Sequence, residues 1–315
     1  MATDSLRKRS SRGLLGKGTR RILGRTLLYI VAILIAAWSL FPIAYMVGIS
    51  LTDTKDVVSR PPKLFPWPPK LKEWRMVTFL WEDAADLHRE EGAAIYGSRL
   101  VPGALVRSFV VALGATLLNL IIGSFAGYGM ARYPDFWYVD STMNLLLITR
   151  MLPGLALLIP FFILYRVTGL LNTLPGLIIA YTSFILPLTV WVMRGYFASI
   201  PRSLEWSAQV DGCNWFQAFW RIFLPVAGPG LVAAGIFTFL VAWNEFTFAL
   251  ILMPKVQSQT VTLTIAALSF PFGGRAMDYT AMFVAGSMAI IPPVLIAFVF
   301  QRYLVQGLLS GAMKG

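Results

Sequence analysis

Charge is scarce in this chain, cysteine and histidine are almost absent, and each shortage excludes something. Of 315 residues only 13% are Asp, Glu, Lys or Arg, while 57% are hydrophobic. A soluble domain averages about 25% charged residues, so a water-soluble core is excluded as the setting for this sequence. The lone cysteine, Cys213, rules out an internal disulfide and a thiolate cluster. The lone histidine, His88, stands in a charged loop and reads as a solvated side chain, so no metal site is expected. No G-x-x-x-x-G-K-[ST] phosphate loop occurs. No paired carboxylates and no Ser/His/Asp set suggest catalysis, and no cofactor is expected on this chain.

What is present is long apolar sequence. Uncharged runs at 27–49, 108–131, 174–193, 226–244 and 279–301 each suffice to cross a hydrocarbon core, which takes about 20 helical residues. A sixth candidate, 142–165, is comparably apolar but contains Arg150 near one end. Lipid offers backbone groups no partner, so each span is expected to be an α-helix, and the alternation of a transmembrane barrel is missing. The expected fold class is an all-α integral membrane protein with six transmembrane helices. The first run lacks a small-residue cleavage signal after it and reads as a retained helix.

The net charge of +12 is uneven. Residues 1–26 carry Arg7, Lys8, Arg9, Arg12, Lys17, Arg20, Arg21 and Arg25 against Asp4 alone. Directly before a span, such a tail reads as cytoplasmic retention and attraction to anionic lipid rather than as a nucleic-acid contact. Six spans then put both termini in the cytoplasm and the 51–103 loop outside, where eight basic residues are balanced by eight acidic ones. The chain divides into the basic tail, a first span at 27–50, that loop, a five-helix core at 104–303 and a tail at 304–315. Within the loop, PPKLFPWPPK favours an extended path, and the mixed segment after it has room for a short surface helix. The stretch SQTVTLTIAALSFPFGG, between the last two spans, reads as either a re-entrant helix or a surface loop.

The inner connection between spans four and five is the unusual part. It reads PRSLEWSAQVDGCNWFQAFWRIFLP over 201–225. Ser203 suits an N-cap with Glu205 in the first turn. Trp206, Val210 and Cys213 fall on one apolar stripe, leaving Glu205, Gln209 and Asp211 to show on the other side. Asp211 and Gly212 break the helix, since glycine readily takes the left-handed conformation. Asn214 with Gln217 fits a capping box for a second helix, whose aromatic face of Phe216, Phe219, Trp220 and Phe223 suits the membrane interface. Two readings fit this helix, hinge and helix: an amphipathic connector resting on lipid, or a knob that docks on a cytoplasmic partner.

The spacing of Gly212, nine residues, then Ile222, Phe223, Leu224 and Pro225 resembles the EAA loop of the membrane-spanning subunits of binding-protein-dependent ABC importers. The surrounding LPLTVWVMRGYFASIPRSLEWSAQVDGCNWFQAFWRIFLPVAGPGL, with AWNEF at 242–246 and the ending QRYLVQGLLSGAMKG, is similar to the MalG-type subunit of carbohydrate importers. That resemblance implies a MetI/MalG-like type I importer permease in a bacterial or archaeal plasma membrane. It implies a second, MalF-type permease, two MalK-type ATPases that bind the ATP and Mg, and an extracytoplasmic sugar-binding protein. It implies an oligosaccharide or disaccharide, of maltose or trehalose type, as cargo. By the same resemblance Glu205, Trp206, Ser207, Ala208, Asp211, Gly212, Ile222, Leu224 and Pro225 form the ATPase-coupling loop, and the tail from Val305 inserts between the ATPases. The family's glutamate position is occupied by Trp206, with Glu205 one residue earlier and about 100° around the helix. Either Glu205 substitutes at a changed docking angle or the ionic contact is missing.

Translocation-pathway candidates follow from residue chemistry. Glu245 is the only acid deep in an apolar run, beside Trp243 and Asn244, and an intramembrane carboxylate is functional or paired. Tyr181 and Asn119 have the right chemistry for sugar rings and hydroxyls. Arg150 reads as a snorkelling or interhelical group, and the small residues of GSFAGYGMA suit close helix packing. The rival function is an ion- or proton-coupled secondary transporter that uses Glu245.

Overall fold

An uncharged run in lipid must satisfy its backbone internally, and helix is the form that does so. The computed structural model describes residues 17–57, 59, 68–71, 74, 77, 94–269 and 279–312, and holds no strand among them. The start of the basic tail, most of the loop after the first span including His88, and the last residues lie outside the described residues.

The first helix, α1, runs Lys17–Ser50, and α2 runs Ala94–Arg132. The third span is a pair, α3 (Trp137–Thr149) and α4 (Gly154–Val167). A long α5 (Leu174–Ser199) leads to the 201–225 loop, which contains α6 (Ser203–Val210) and α7 (Trp215–Ala218). Beyond it come α8 (Gly228–Trp243), α9 (Thr247–Leu252) and α10 (Val261–Leu268). The last two, α11 (Tyr279–Ala289) and α12 (Ile291–Ala312), make the final span.

Three expected spans differ in detail. The second was expected from Ser108, but α2 starts within the supposed loop, at Ala94, and carries Arg107 inside it. The guanidinium is accommodated because its Nε donates to the Gln259 carbonyl at 2.9 Å. The third was expected as one run over 142–165, yet α3 and α4 meet at 95°. Pro153, extended at ψ 125 and lacking an N–H, ends one helix and starts the next. The fifth was expected over 226–244; the helix there, Gly228–Trp243, is unbroken and meets the loop segment Trp215–Val226 at 75° across Ala227, between Pro225 and Pro229. Among the described residues, four continuous helices are long enough to span, or six with each bent pair counted as one.

The α2 and α5 helices pack along their length and form the spine, with α8 against both. Glycine sets that closeness. A Cβ on Gly123 would stand 2.7 Å from Thr189 Cγ2, and one on Gly127 would stand 2.8 Å from both the Arg194 nitrogen and Met193 Cβ. Between the three helices lies a buried polar layer. Asn119 Nδ2 donates to the Ala115 carbonyl at 2.8 Å, Thr189 donates to Asn119 Oδ1 at 3.5 Å, and the Thr189 and Thr238 hydroxyls are 3.3 Å apart. Such interhelical bonds hold register where the hydrophobic effect between helices is absent.

By contrast α1 stands outside this core and touches it mainly through α11. The most apolar stretch of α1 has none of its residues buried. At its far end Lys70 returns to it, with Nζ 3.2 Å from Asp53 and 3.1 Å from Asp56 and its backbone N–H on the Leu51 carbonyl at 2.9 Å. These hydrogen bonds raise the lysine above its ordinary pKa.

Candidate functional site

The 201–225 loop is built largely as the residue chemistry suggests. Leu204, Glu205 and Trp206 donate their N–H groups to the carbonyls of Pro201 and Arg202, which starts α6. Ser203 was expected to cap this helix, but its side chain makes no cap. Arg202 stands at the cap position in helical conformation, so the turn is seeded by the preset φ of Pro201. The helix ends at Asp211, and Gly212 takes φ +82, the left-handed conformation only glycine adopts without strain. Asn214 Oδ1 then accepts the Gln217 N–H at 2.8 Å, and Gln217 Oε1 accepts the Asn214 N–H at 3.0 Å, a complete capping box.

The apolar stripe of α6 lies on the outside of the protein, with Trp206 63% and Val210 87% exposed, and of the three residues expected to show on its polar side Gln209 and Asp211 do and Glu205 does not. Ala208 is buried and Glu205 is turned inward, while Ser207, Gln209 and Asp211 are exposed. Periodicity says which side chains share a face; what faces the protein is decided by what waits there. Here that is Arg132, the last residue of α2.

Arg132 has a side chain only 2% exposed, and its Nε lies 3.6 Å from Glu205 Oε2. Its Nη1 donates to the Ile200 carbonyl at the end of α5 at 3.3 Å. The guanidinium also lies over the Phe223 ring, 4.3 Å from its centroid. One cation therefore ties the ends of α2 and α5 to both halves of the loop. Its Nε and Nη2 make no hydrogen bond, so the Glu205 charge is what offsets their burial.

The aromatic face after the hinge divides in two. Phe219 and Phe223 were expected at the membrane interface, but they are buried against α2 and α5, while Phe216 and Trp220 stay exposed. Phe219 stacks on Phe125 at 4.7 Å and meets Tyr128 at 5.1 Å, and Phe223 lies 5.2 Å from Tyr128. A π-helical turn over Phe219–Phe223 turns these rings inward before Leu224 and the exposed Pro225 lead into α8. Ile222 is half-buried in the same cluster.

Among the pathway candidates, Asn119 lies in the buried polar layer described above. Tyr181 and Trp243 are buried too; the tyrosine hydroxyl reaches the Glu245 carbonyl at 3.5 Å and Trp243 Nε1 donates to the Ala289 carbonyl at 3.1 Å. Asn244 is exposed and bonds back to the Leu240 carbonyl at 2.8 Å. Glu245 sits in the break between α8 and α9, where Oε1 accepts the Phe248 N–H at 2.9 Å and Oε2 that of Ala249 at 3.3 Å. Its carboxylate thus caps a helix inside an apolar region, where an anion meets the positive end of the helix dipole.

Arg150 does bond a neighbouring helix. Its Nη1 donates to the Phe184 carbonyl at 2.9 Å with the guanidinium 4.6 Å from that ring. The residue that sequence reasoning passed over is Arg132. Its signal was slight: a base in the last turn of a span, where the helix dipole favours it.

A family profile described as the inner membrane component of binding-protein-dependent transport systems matches residues 101–310. The trehalose transport system permease protein SugB of Mycobacterium tuberculosis is 33% identical over 283 residues, covering 90% of this chain and 95% of its own. The diacetylchitobiose uptake system permease protein DasC of Streptomyces coelicolor is 29% identical over 300 residues, covering 94% and 99%. A chain from the crystal structure of a bacterial ABC transporter involved in alginate import aligns at a TM-score of 0.71 and 21% identity, over 92% of this chain and 98% of that one. At that identity the likeness is one of fold.

Proposed function

Because the chain belongs to the family of inner membrane components of binding-protein-dependent transport systems, we propose that it is one permease of an ATP-driven carbohydrate importer. The cargo we assign is an oligosaccharide or disaccharide of the trehalose or maltose type. The observation that carries this is the near full-length similarity to a permease named for trehalose and another named for diacetylchitobiose. Membership of that family supports a membrane transport component rather than an enzyme.

In this reading the chain is half of the translocation pathway, in the plasma membrane of a prokaryote with both termini cytoplasmic. A MalF-type permease supplies the other half, an extracytoplasmic sugar-binding protein delivers cargo, and two MalK-type ATPases bind ATP and Mg. The 201–225 loop receives the work of hydrolysis. What supports that role is its mechanical connection. Through Arg132, Phe219 and Phe223 a displacement of α6 is passed to the ends of α2 and α5 without a slack linker between them. Of the pathway candidates, Asn244 and Glu245 have surface to offer a passing substrate, whereas Asn119, Tyr181 and Trp243 act as the walls that hold it.

Copurification from membranes tests the reading. The tagged chain is expected to bring an ATPase subunit and a second permease with it, and replacing Gly212 and Asp211 together is expected to loosen the ATPase. A chain that purifies alone and transports under an ion gradient without ATP overturns it.

A further inference from the structure

We infer that Arg150 lines an aqueous path through the membrane, where its guanidinium donates to oxygen atoms of the passing cargo and turns cationic solutes away. The inference rests on the importer reading and narrows its cargo to neutral or anionic, oxygen-rich molecules.

The depth of Arg150 is fixed by its bond. Its Nη1 donates to the Phe184 carbonyl at 2.9 Å. Phe184 belongs to the continuous α5, Leu174–Ser199, and at about 1.5 Å per residue it stands roughly 15 Å from one end of that span and roughly 22 Å from the other. The guanidinium is therefore held inside the hydrocarbon layer and does not snorkel to its surface. A cation at that depth faces the interior of a bundle or a water-filled cavity.

The rest of its hydrogen-bonding capacity is open. Among the described residues Nε and Nη2 have no hydrogen-bond partner and no carboxylate pairs with the group, yet neither nitrogen is a buried atom. One carbonyl and the Phe184 ring, its centroid 4.6 Å away, are what those residues supply.

The backbone points the same way independently. From Met151 to Pro153 the chain is not helical, and all three residues are exposed, Met151 at 82%. Irregular backbone at membrane depth is tolerated where protein buries it or water reaches it, and lipid does neither. An apolar neighbour would leave Nε and Nη2 unsatisfied, so water and the polar solutes it carries are the partners that fit. A second break lies close by. The Phe184 ring is 5.4 Å from the Phe248 ring, and the Phe248 N–H donates to Glu245 Oε1 at 2.9 Å. One pair of rings thus joins the α3–α4 break to the α8–α9 break, which exposes Asn244 and Phe246. A guanidinium, a side-chain amide and an aromatic ring suit a hydroxyl-rich molecule.

The test uses the full complex in lipid nanodiscs, where both membrane faces meet the reagent, with Cys213→Ser and one new cysteine on this chain. Met151→Cys is expected to react with a sulfonated methanethiosulfonate at least about tenfold faster than Trp38→Cys in the apolar run of α1, because only a hydrated thiol ionises readily. The rate with that anionic reagent relative to a trimethylammonium one is expected to fall at least about fivefold when Arg150→Gln is added and to hold with Arg150→Lys, as the field of one nearby charge requires. An arginine that serves only to hold α5 would not move that ratio. On Met151→Cys alone the ratio is expected to exceed that of a free thiol and to converge on it at high salt, which tests the charge without replacing Arg150. Labelling of Met151→Cys no faster than Trp38→Cys, or a reagent ratio that neither Arg150→Gln nor salt changes, overturns the inference and leaves the importer reading standing. A chain that brings no ATPase from the membrane overturns the importer reading, whatever its labelling.

Discussion

Glu205 Oε2 lies 3.6 Å from Nε of Arg132, joining the first helix of the 201–225 loop to the end of α2. The pair makes the loop part of the helical core. It also explains why Glu205 is turned inward: that side is chosen by a buried cation that requires an anion, and the tryptophan is left outside.

Removing one partner of a buried pair leaves a charge uncompensated, at a cost of about 3–5 kcal/mol, whereas replacing both by apolar groups is often neutral. Glu205→Gln and Arg132→Met are each expected to lower the melting temperature of the purified complex. The double variant Glu205→Leu with Arg132→Met is expected to recover most of the loss. Single variants that melt like the parent contradict the assigned pair.

Two glycines two residues apart on α2 make a controlled comparison. A Cβ at Gly127 meets α5 backbone at 2.8 Å, while one at Gly129 meets nothing within 4 Å. Gly127→Ala is expected to destabilise by about 1–3 kcal/mol through overpacking. Gly129→Ala is expected to be neutral or to stabilise by up to about 1 kcal/mol, as for a helical glycine with open space at its Cβ. Thermal unfolding in detergent measures both.

At Gly212 space is open but φ is +82. A side chain there meets strain without a clash, so Gly212→Ala is expected to cost about 1–2 kcal/mol, and Gly212→Asn less, since asparagine tolerates this region. Bound ATPase per chain should follow the same order.

Glu245 holds the first N–H groups of α9, so Glu245→Ala is expected to cost about 1 kcal/mol as a lost cap. Glu245→Gln keeps an acceptor oxygen and is expected to preserve ATP-driven uptake with an unchanged pH profile. Uptake abolished by Glu245→Gln, with the parent accumulating cargo on a proton gradient, would mean that the carboxylate carries protons.

The apolar helices, the glycine hinge and the capping box were legible because each depends on a local rule: uncharged length, a left-handed position, a reciprocal side-chain bond. The breaks were less so. Pro153 and the prolines flanking Ala227 announce a kink, but its size, 95° in one case and 75° in the other, is set by helices distant in sequence. The start of α2 was hidden because Arg107 looks like a loop charge until the Gln259 carbonyl is in place. The covered side of the 201–225 loop was misjudged at Glu205, Phe219 and Phe223 for one reason. The hydrophobic period identifies a stripe, and only Arg132, Phe125 and Tyr128 decide which stripe is covered.

The most direct measurement is uptake by the purified complex in proteoliposomes, with the sugar-binding protein outside and ATP inside. Radiolabelled trehalose and diacetylchitobiose are the first cargoes to try. The account predicts accumulation of a carbohydrate that requires ATP and the binding protein together. Accumulation that proceeds without ATP, driven by an ion gradient alone, would contradict it.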